Sequence, residues 1–397
     1  MPLRPHQINA LDAMAKHNRG QIIVPTGGGK TMCMIEDAKR TFNTSRIFAG
    51  GMIDGATIVV VSPRILLSEQ LSSEFLEIID NASVMHVHSG ETSHYSSTKV
   101  DDIYFWHKYT QGNKIIFTTY HSLDKDKRST IDVDAIYFDE AHNSVRSDFF
   151  PPTKHFSEWA KRSYFFTATP KHSLTSHKTG MNDTKVYGNV ICHVPAPKLV
   201  EQGYILPPKV EVYKTRLMDR GEIYAEVESE QMLSSIDKLK VDKVLICARS
   251  TAQIVGLTSQ SDFCYDLNVR GYSWMTITSR TGAIINGRKV GRDEFFETLN
   301  AWGKDDEKKF VVLHHSILAE GINVKGLEAA LFMRNMDYIT ISQTIGRVIR
   351  LGNAKKTHGK VCVPVYNNVG ISTARKVEAV VDTVFNKGEP AISVITR

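Results

Sequence analysis

Cysteine is scarce: Cys33, Cys192, Cys247, Cys264 and Cys362 are scattered through 397 residues with no C-x-x-C pair. That excludes a disulfide framework and a cysteine zinc ribbon, and it suits a reducing cytoplasm. Long hydrophobic runs are missing as well, none approaching the roughly 18 apolar residues of a membrane span. Met1 to His6 contains no apolar signal core, so a cytoplasmic protein without a membrane partner is expected. Neither internal repeats nor low-complexity tracts are seen, which still leaves room for two domains of similar fold without sequence similarity. No charge sign dominates: 49 Lys and Arg stand against 43 Asp and Glu, a net +6 that permits a polyanionic partner without requiring one. The length exceeds one ordinary core and suits two domains of about 150–200 residues each.

What is present begins with Val24-Pro25-Thr26-Gly27-Gly28-Gly29-Lys30-Thr31, between the apolar run Gln21–Val24 and a segment with helical potential. Three glycines let the backbone turn and bring several N–H groups to one anion. Lys30 adds charge and Thr31 a hydroxyl for Mg²⁺. The strict phosphate-loop pattern asks for glycine at position 24, where this chain has valine, but the strand–loop–helix context restores the reading. Upstream, Ile8, Leu11 and Met14 fall at helical spacing, which puts Gln7 in a first turn. Its amide is suited either to an ordinary helix start or to reading the donor and acceptor edge of adenine.

Ala56–Val61 is a β-branched run without alternation, as in a strand buried on both faces of a parallel sheet. Val84–Val87, Lys114–Thr118, Ala135–Phe138 and Ser163–Phe166 continue the series, and helical stripes such as Leu67, Leu71, Phe75 and Ile78 lie between. This alternation predicts a doubly wound α/β domain with ligands at the carboxyl ends of its strands. The unusual residues sit there. Asp139-Glu140-Ala141-His142 follows Phe138 directly. Adjacent acids on a strand point to opposite faces, so a division of labour is expected, Asp139 holding Mg²⁺ and Glu140 orienting a water. Thr167-Ala168-Thr169-Pro170 follows Phe166, with threonines suited to capping a turn or relaying the state of a nucleotide.

With these three motifs in order, the chain resembles the superfamily 2 DEAD/H-box helicases. That resemblance implies two tandem RecA-like domains with an interdomain cleft, and it implies ATP and Mg²⁺ as cofactors. It also demands Gln-x-x-Gly-Arg-x-x-Arg on a late helix, and Gln343-Thr344-Ile345-Gly346-Arg347-Val348-Ile349-Arg350 supplies it. Arginines three apart can point from one helical face at a γ-phosphate, so Gln343, Arg347 and Arg350 join Lys30 and Glu140 as expected catalytic residues. Pro63-Arg64 and Thr118-Thr119 resemble family segments that hold the sugar-phosphate track. Arg249 and Ser316 lie in two further family segments, and Gly321 and Asn323 belong with Ser316. Asn323 stands where many relatives have Asp. The resemblance makes Gln7, Thr26 to Thr31, Asp139, Gly321 and Asn323 nucleotide-binding, His142, Thr167 and Thr169 coupling, and Pro63, Arg64, Thr118, Thr119, Arg249 and Ser316 nucleic-acid contacts.

Gly203-Tyr204-Ile205-Leu206-Pro207-Pro208 narrows the resemblance to motors of type I and III restriction enzymes, XPB-like helicases and UvsW-type phage helicases. Its glycine and prolines make a natural hinge, which places the domain boundary between 204 and 205 and predicts domains 1–204 and 205–397. Compactness and that hinge point to a viral or mobile-element origin. Val244–Cys247, Trp274–Ile277, Phe310–Leu313, Ala330–Met333 and Val361–Val365 are strand candidates of the second domain. Lys355 to Lys360 reads as a solvated hairpin. His86, His88 and the His314-His315 pair have no partner at metal-ligand spacing and read as non-metal residues. The expected activity is that of an ATP-driven, monomeric motor holding nucleic acid mainly by its phosphates, DNA rather than RNA. Rival readings are an RNA helicase, a translocase that does not unwind, and a nucleotide-gated binding switch.

Overall fold

The computed structural model describes residues 2–48, 55–175, 177–216, 219–315, 324, 326–352, 356–365 and 370–395. The chain divides into two compact units, Met1–Val194 with Ile392–Arg397, and Pro195–Ala391. Each is built on a mostly parallel sheet flanked by helices, so the expected α/β class and RecA-like architecture hold. No helix among the described residues is long and apolar enough to cross a membrane.

The first unit's strands are β1 (Arg19–Ile23), β2 (Thr57–Ser62), β3 (Ala82–Val87), β4 (Tyr95–Ser96), β5 (Asn113–Thr119), β6 (Ala135–Phe138), β7 (Arg162–Thr167), β8 (Lys171–Ser173) and β9 (Val190–His193). Eight of them form one sheet in the order β4-β3-β5-β2-β6-β7-β1-β9. All its pairings are parallel. Every residue of β2 is buried, which is why its apolar run does not alternate. Val59, Val61, Ile136, Phe138 and Phe165 anchor the core, and the rings of Phe138 and Phe165 stack with centroids 4.7 Å apart. Three helices matter below: α1 (Pro5–Lys16), α2 (Lys30–Phe48) and α3 (Ile65–Leu76). Proline opens α1, where its missing N–H costs no helical bond.

The second unit contains β10 (Pro208–Lys214), β11 (Lys243–Cys247), β12 (Ser273–Thr278), β13 (Gly282–Ile285), β14 (Arg288–Val290), β15 (Phe310–His314), β16 (Ala329–Phe332) and β17 (Gly359–Val365). Their order is β10-β17-β16-β11-β15-β12-β13-β14, parallel except for the antiparallel β12-β13-β14 meander at one edge. The five strands expected here are present; the meander and β10 are additions. Pro208 opens β10, an edge strand, where a missing donor is tolerated. Just upstream, Gly203 takes φ +70° in a turn, and Leu206 N donates to Ile349 O at 2.7 Å. At the far end, β18 (Ser393–Ile395) returns to the first unit and pairs in parallel with β8.

One expectation for the second unit is corrected. Lys355 lies outside the described residues, but Lys356 and Lys360 are not the solvated side chains of a hairpin. The Lys356 ammonium donates to Leu327 O at 2.7 Å and Arg350 O at 2.6 Å, and that of Lys360 to Leu239 O. Backbone carbonyls beyond helix ends need donors, and these lysines supply them. Burial lowers the pKa of Lys356 to about 8.

Candidate nucleotide and coupling site

β1 ends at Ile23 and α2 starts at Lys30, so the glycine loop joins a central strand to a helix N-terminus, where the helix dipole favours an anion. Val24, where the strict pattern has glycine, is buried, and its N–H donates to Thr167 O at 3.1 Å. Gly27 and Gly29 take φ of +86° and +83°, which explains glycine at those two places. A Cβ on Gly29 would come within 2.6 Å of Gln7 Nε2.

Gln7 is buried and works on the loop itself. Its Oε1 accepts from Arg4 N at 2.8 Å, and its Nε2 donates to Gly29 O at 3.1 Å. Both ends of the amide are thus engaged within the chain, as a helix start and a loop brace. His6, which the sequence did not single out, does the same with Nε2 2.7 Å from Gly28 O.

The two acids come just after β6. Glu140 does not continue the strand: its φ of +45° and ψ of +52° put it in the left-handed region, at the start of a single 3₁₀ turn, Ala141–Asn143. The turn, and not strand alternation, therefore separates its carboxylate from that of Asp139. Lys30 Nζ lies 3.4 Å from Glu140 Oε1, both side chains 11% exposed. Glu140 Oε2 lies 3.5 Å from His142 Nδ1. That same nitrogen is 3.1 Å from Thr167 Oγ1 and 3.3 Å from Thr169 Oγ1. One buried polar network thus joins the glycine loop, the acidic turn and the Thr167–Pro170 segment. Asp139 is pushed above the ordinary carboxyl range, chiefly by burial and next by the Glu140 carboxylate, with Lys30 pulling the other way. Tyr120 OH anchors this turn by donating to Asp139 O at 2.9 Å, a contact with no signal in the sequence.

The expected nucleic-acid residues are more dispersed. Pro63 is buried, whereas Arg64 is exposed at the N-cap of α3. Thr118 is fully buried, its hydroxyl 3.2 Å from Val87 O and 2.7 Å from Asp126 Oδ2, so it serves the core and not a strand-binding surface. Thr119 is buried too, with Oγ1 3.4 Å from Ser122 Oγ. The apolar neighbours that made 114–118 a buried strand also carry these threonines inside.

In the second unit, Arg249 follows β11, ion-paired to Glu228 at 3.1 Å and 5.0 Å above the Tyr224 ring. Gln343 and Arg347 are buried on the helix Tyr338–Val348, whose N-cap Asp337 accepts from Thr340 N at 2.7 Å. The regular helix ends at Val348 with Ile349 as its C-cap, so Arg350 lies just past it. Arg347 lies among the ends of β11 and β15, where burial first and then its charge hold His314 neutral. Ser316, Gly321 and Asn323 lie outside the described residues.

Residues 1–172 match the family described as type III restriction enzyme, res subunit. No curated protein matches the chain. Similar solved structures include an ATP-dependent type ISP restriction-modification enzyme, LlaBIII, bound to DNA, with a TM-score of 0.74 and 17% identity over 100% of this chain. A nuclease-deletion mutant of the type ISP enzyme LlaGI, in complex with a DNA substrate mimic, gives 0.66 and 19% over 99%. A fragment of a type I restriction enzyme HsdR subunit from Vibrio vulnificus gives 0.60 and 14% over 98%. The chain spans 31% and 30% of the two type ISP chains and 67% of the HsdR fragment, and the likeness at this identity is one of fold. By sequence over residues 1–172 and by fold over its length, the chain's resemblance to superfamily 2 helicase motors, of the kind found in restriction enzymes, stands.

Proposed function

We propose that this protein is an ATP-dependent DNA translocase, a monomeric cytoplasmic motor that couples ATP hydrolysis to movement along or remodelling of DNA. The observation that carries this reading is the buried network from Lys30 through Glu140 and His142 to Thr167 and Thr169. ATP with Mg²⁺ would supply the phosphoanhydride to be cleaved and the cation that neutralises its charge. The loop fits such a ligand: two glycines in left-handed backbone, a helix N-terminus and a lysine are the elements of an anion cradle. Lys30 would hold phosphate, and Thr31 with Asp139 the metal.

Glu140 then acts as the base that orients a water and takes its proton. Its charge is already balanced by Lys30 on one oxygen and met by His142 on the other. His142, held by two threonine hydroxyls, passes any displacement of Glu140 to the segment after β7. Arg347 and Arg350 are proposed to contribute positive charge to the same turnover. DNA is the favoured partner because two of the similar structures are described as bound to DNA or to a DNA substrate mimic.

The test is ATPase measured without nucleic acid and with single-stranded DNA, duplex DNA or RNA, together with triplex displacement to report translocation. Duplex DNA is expected to stimulate turnover and Lys30→Ala to abolish it. Full nucleic-acid-stimulated turnover by Lys30→Ala would overturn the proposal. Stimulation by RNA alone would transfer the motor to the RNA reading.

A further inference from the structure

His86 and His88 read in sequence as partnerless, yet folding brings a third ligand to them. His86 lies on β3 and His88 just past its end, and Glu69 reaches both from α3. Glu69 Oε1 lies 3.2 Å from His86 Nδ1 and 3.0 Å from His88 Nε2, and the two nitrogens are 3.0 Å apart. Three ligand-type atoms therefore form a nearly equilateral triangle. Adjacent ligands of a tetrahedral zinc ion, with bonds of about 2.0–2.1 Å, lie about 3.3 Å apart. An ion sitting about 1 Å above this triangle would reach all three at such distances and keep a fourth position for water.

From this geometry we infer that Glu69, His86 and His88 form a binding site for a divalent transition metal ion of the zinc type, separate from the Mg²⁺ expected at the glycine loop. Two imidazoles and one carboxylate suit zinc and its neighbours and do not suit magnesium, which takes oxygen ligands. Glu69 Oε1 is shielded from solvent and has no well-formed hydrogen bond among the described residues, although it faces two imidazole nitrogens.

The surroundings have the form of an outer shell. His86 Nε2 lies 3.2 Å from Ser72 Oγ, and its ring is stacked between His94 and Phe117. Gly90 N donates to His88 Nδ1 at 3.2 Å, which puts the ring proton on Nε2, the atom facing the site. Loading must shift that proton to Nδ1, which breaks the Gly90 contact. The site ties α3, which begins directly after Arg64, to the end of β3, so the ion would clamp in place the helix that follows the exposed arginine.

The experiment uses the whole chain, stripped with chelator and kept in millimolar Mg²⁺ to occupy oxygen-only sites. Co²⁺ is titrated while visible absorption is recorded, then displaced by Zn²⁺, and melting is followed with Zn²⁺ or with EDTA. One equivalent of Co²⁺ should give the visible bands of a low-coordinate site, and one equivalent of Zn²⁺ should erase them. Zinc at about 100 times its Kd should raise the Tm by about 5–10 °C. Glu69→Gln and His88→Ala should each weaken binding at least tenfold. A wild-type chain that shows no Co²⁺ bands and no Zn²⁺-dependent Tm overturns the site whether or not the variants fold. So does stoichiometric binding that survives in the His86→Ala/His88→Ala double variant.

Discussion

Glu140 occupies backbone that a residue with a Cβ adopts at a cost of about 1–2 kcal/mol. The turn holds it there because Asn143 N and the Asn143 side chain both donate to Glu140 O at 3.0 Å. Glu140→Gln preserves the shape and removes the proposed base, so turnover should fall about 10²–10⁴-fold with ATP affinity retained, a split that single-turnover kinetics and nucleotide titration resolve. Asp126 provides a different test. It is fully buried, and burial pushes its carboxyl up to about 7 despite the hydroxyl of Thr118. The folded state keeps a proton that the unfolded chain gives up near pH 4, so stability declines as pH rises between about 4 and 7 and levels off above. Asp126→Asn removes that dependence. Its stability relative to wild type should rise by about 2–3 kcal/mol between pH 5 and pH 8, as read in urea melts.

Among elements, the glycine loop shows what a motif leaves out. Position 24 departs from the strict pattern because Val24 is a core residue that hands over from β1, packed out of solvent with its N–H on Thr167 O. Restoring the pattern with Val24→Gly should therefore cost about 2–3 kcal/mol in a denaturant melt, through lost burial and added backbone freedom, with no gain in nucleotide affinity. The parallel strands were legible because residues buried on both faces must be continuously apolar. β10 was not, since an edge strand alternating between partial and full exposure imposes no such run. Arg350 shows the same limit from the other side. Spacing puts it one turn from Arg347, but the regular helix stops at Val348, where Ile349 N still bonds to Ile345 O, and the Arg350 carbonyl accepts from Lys356.

On the scale of the whole molecule, the return of β18 links the end of the chain to the segment after Thr167–Pro170. Ser393 N donates to Pro170 O at 2.9 Å, and Ser393 to Ile395 run alongside Lys171 to Ser173. A chain ending at Ala391 should lose about 2 kcal/mol of local protection, seen as faster amide hydrogen exchange over 171–174. Unchanged exchange there would show that the strand contributes nothing to holding the segment after β7.

The sequence by itself determined the α/β class, most of the strands and the order of the motifs, because burial periodicity and phosphate-loop chemistry are local properties written in consecutive residues. It also placed Lys30, Glu140, His142, Thr167 and Thr169 at or just past the carboxyl ends of their strands. Only the tertiary structure decided that these five side chains share one buried network, that Thr118 faces inward to Asp126, that Gln7 braces the loop, and that Glu69 stands within 3.2 Å of two histidines. The physical reason is separation along the chain. Glu69 and His86 are on a helix and a strand whose relative placement follows from packing of apolar faces, and no spacing rule within one element can report which polar side chains that packing brings together.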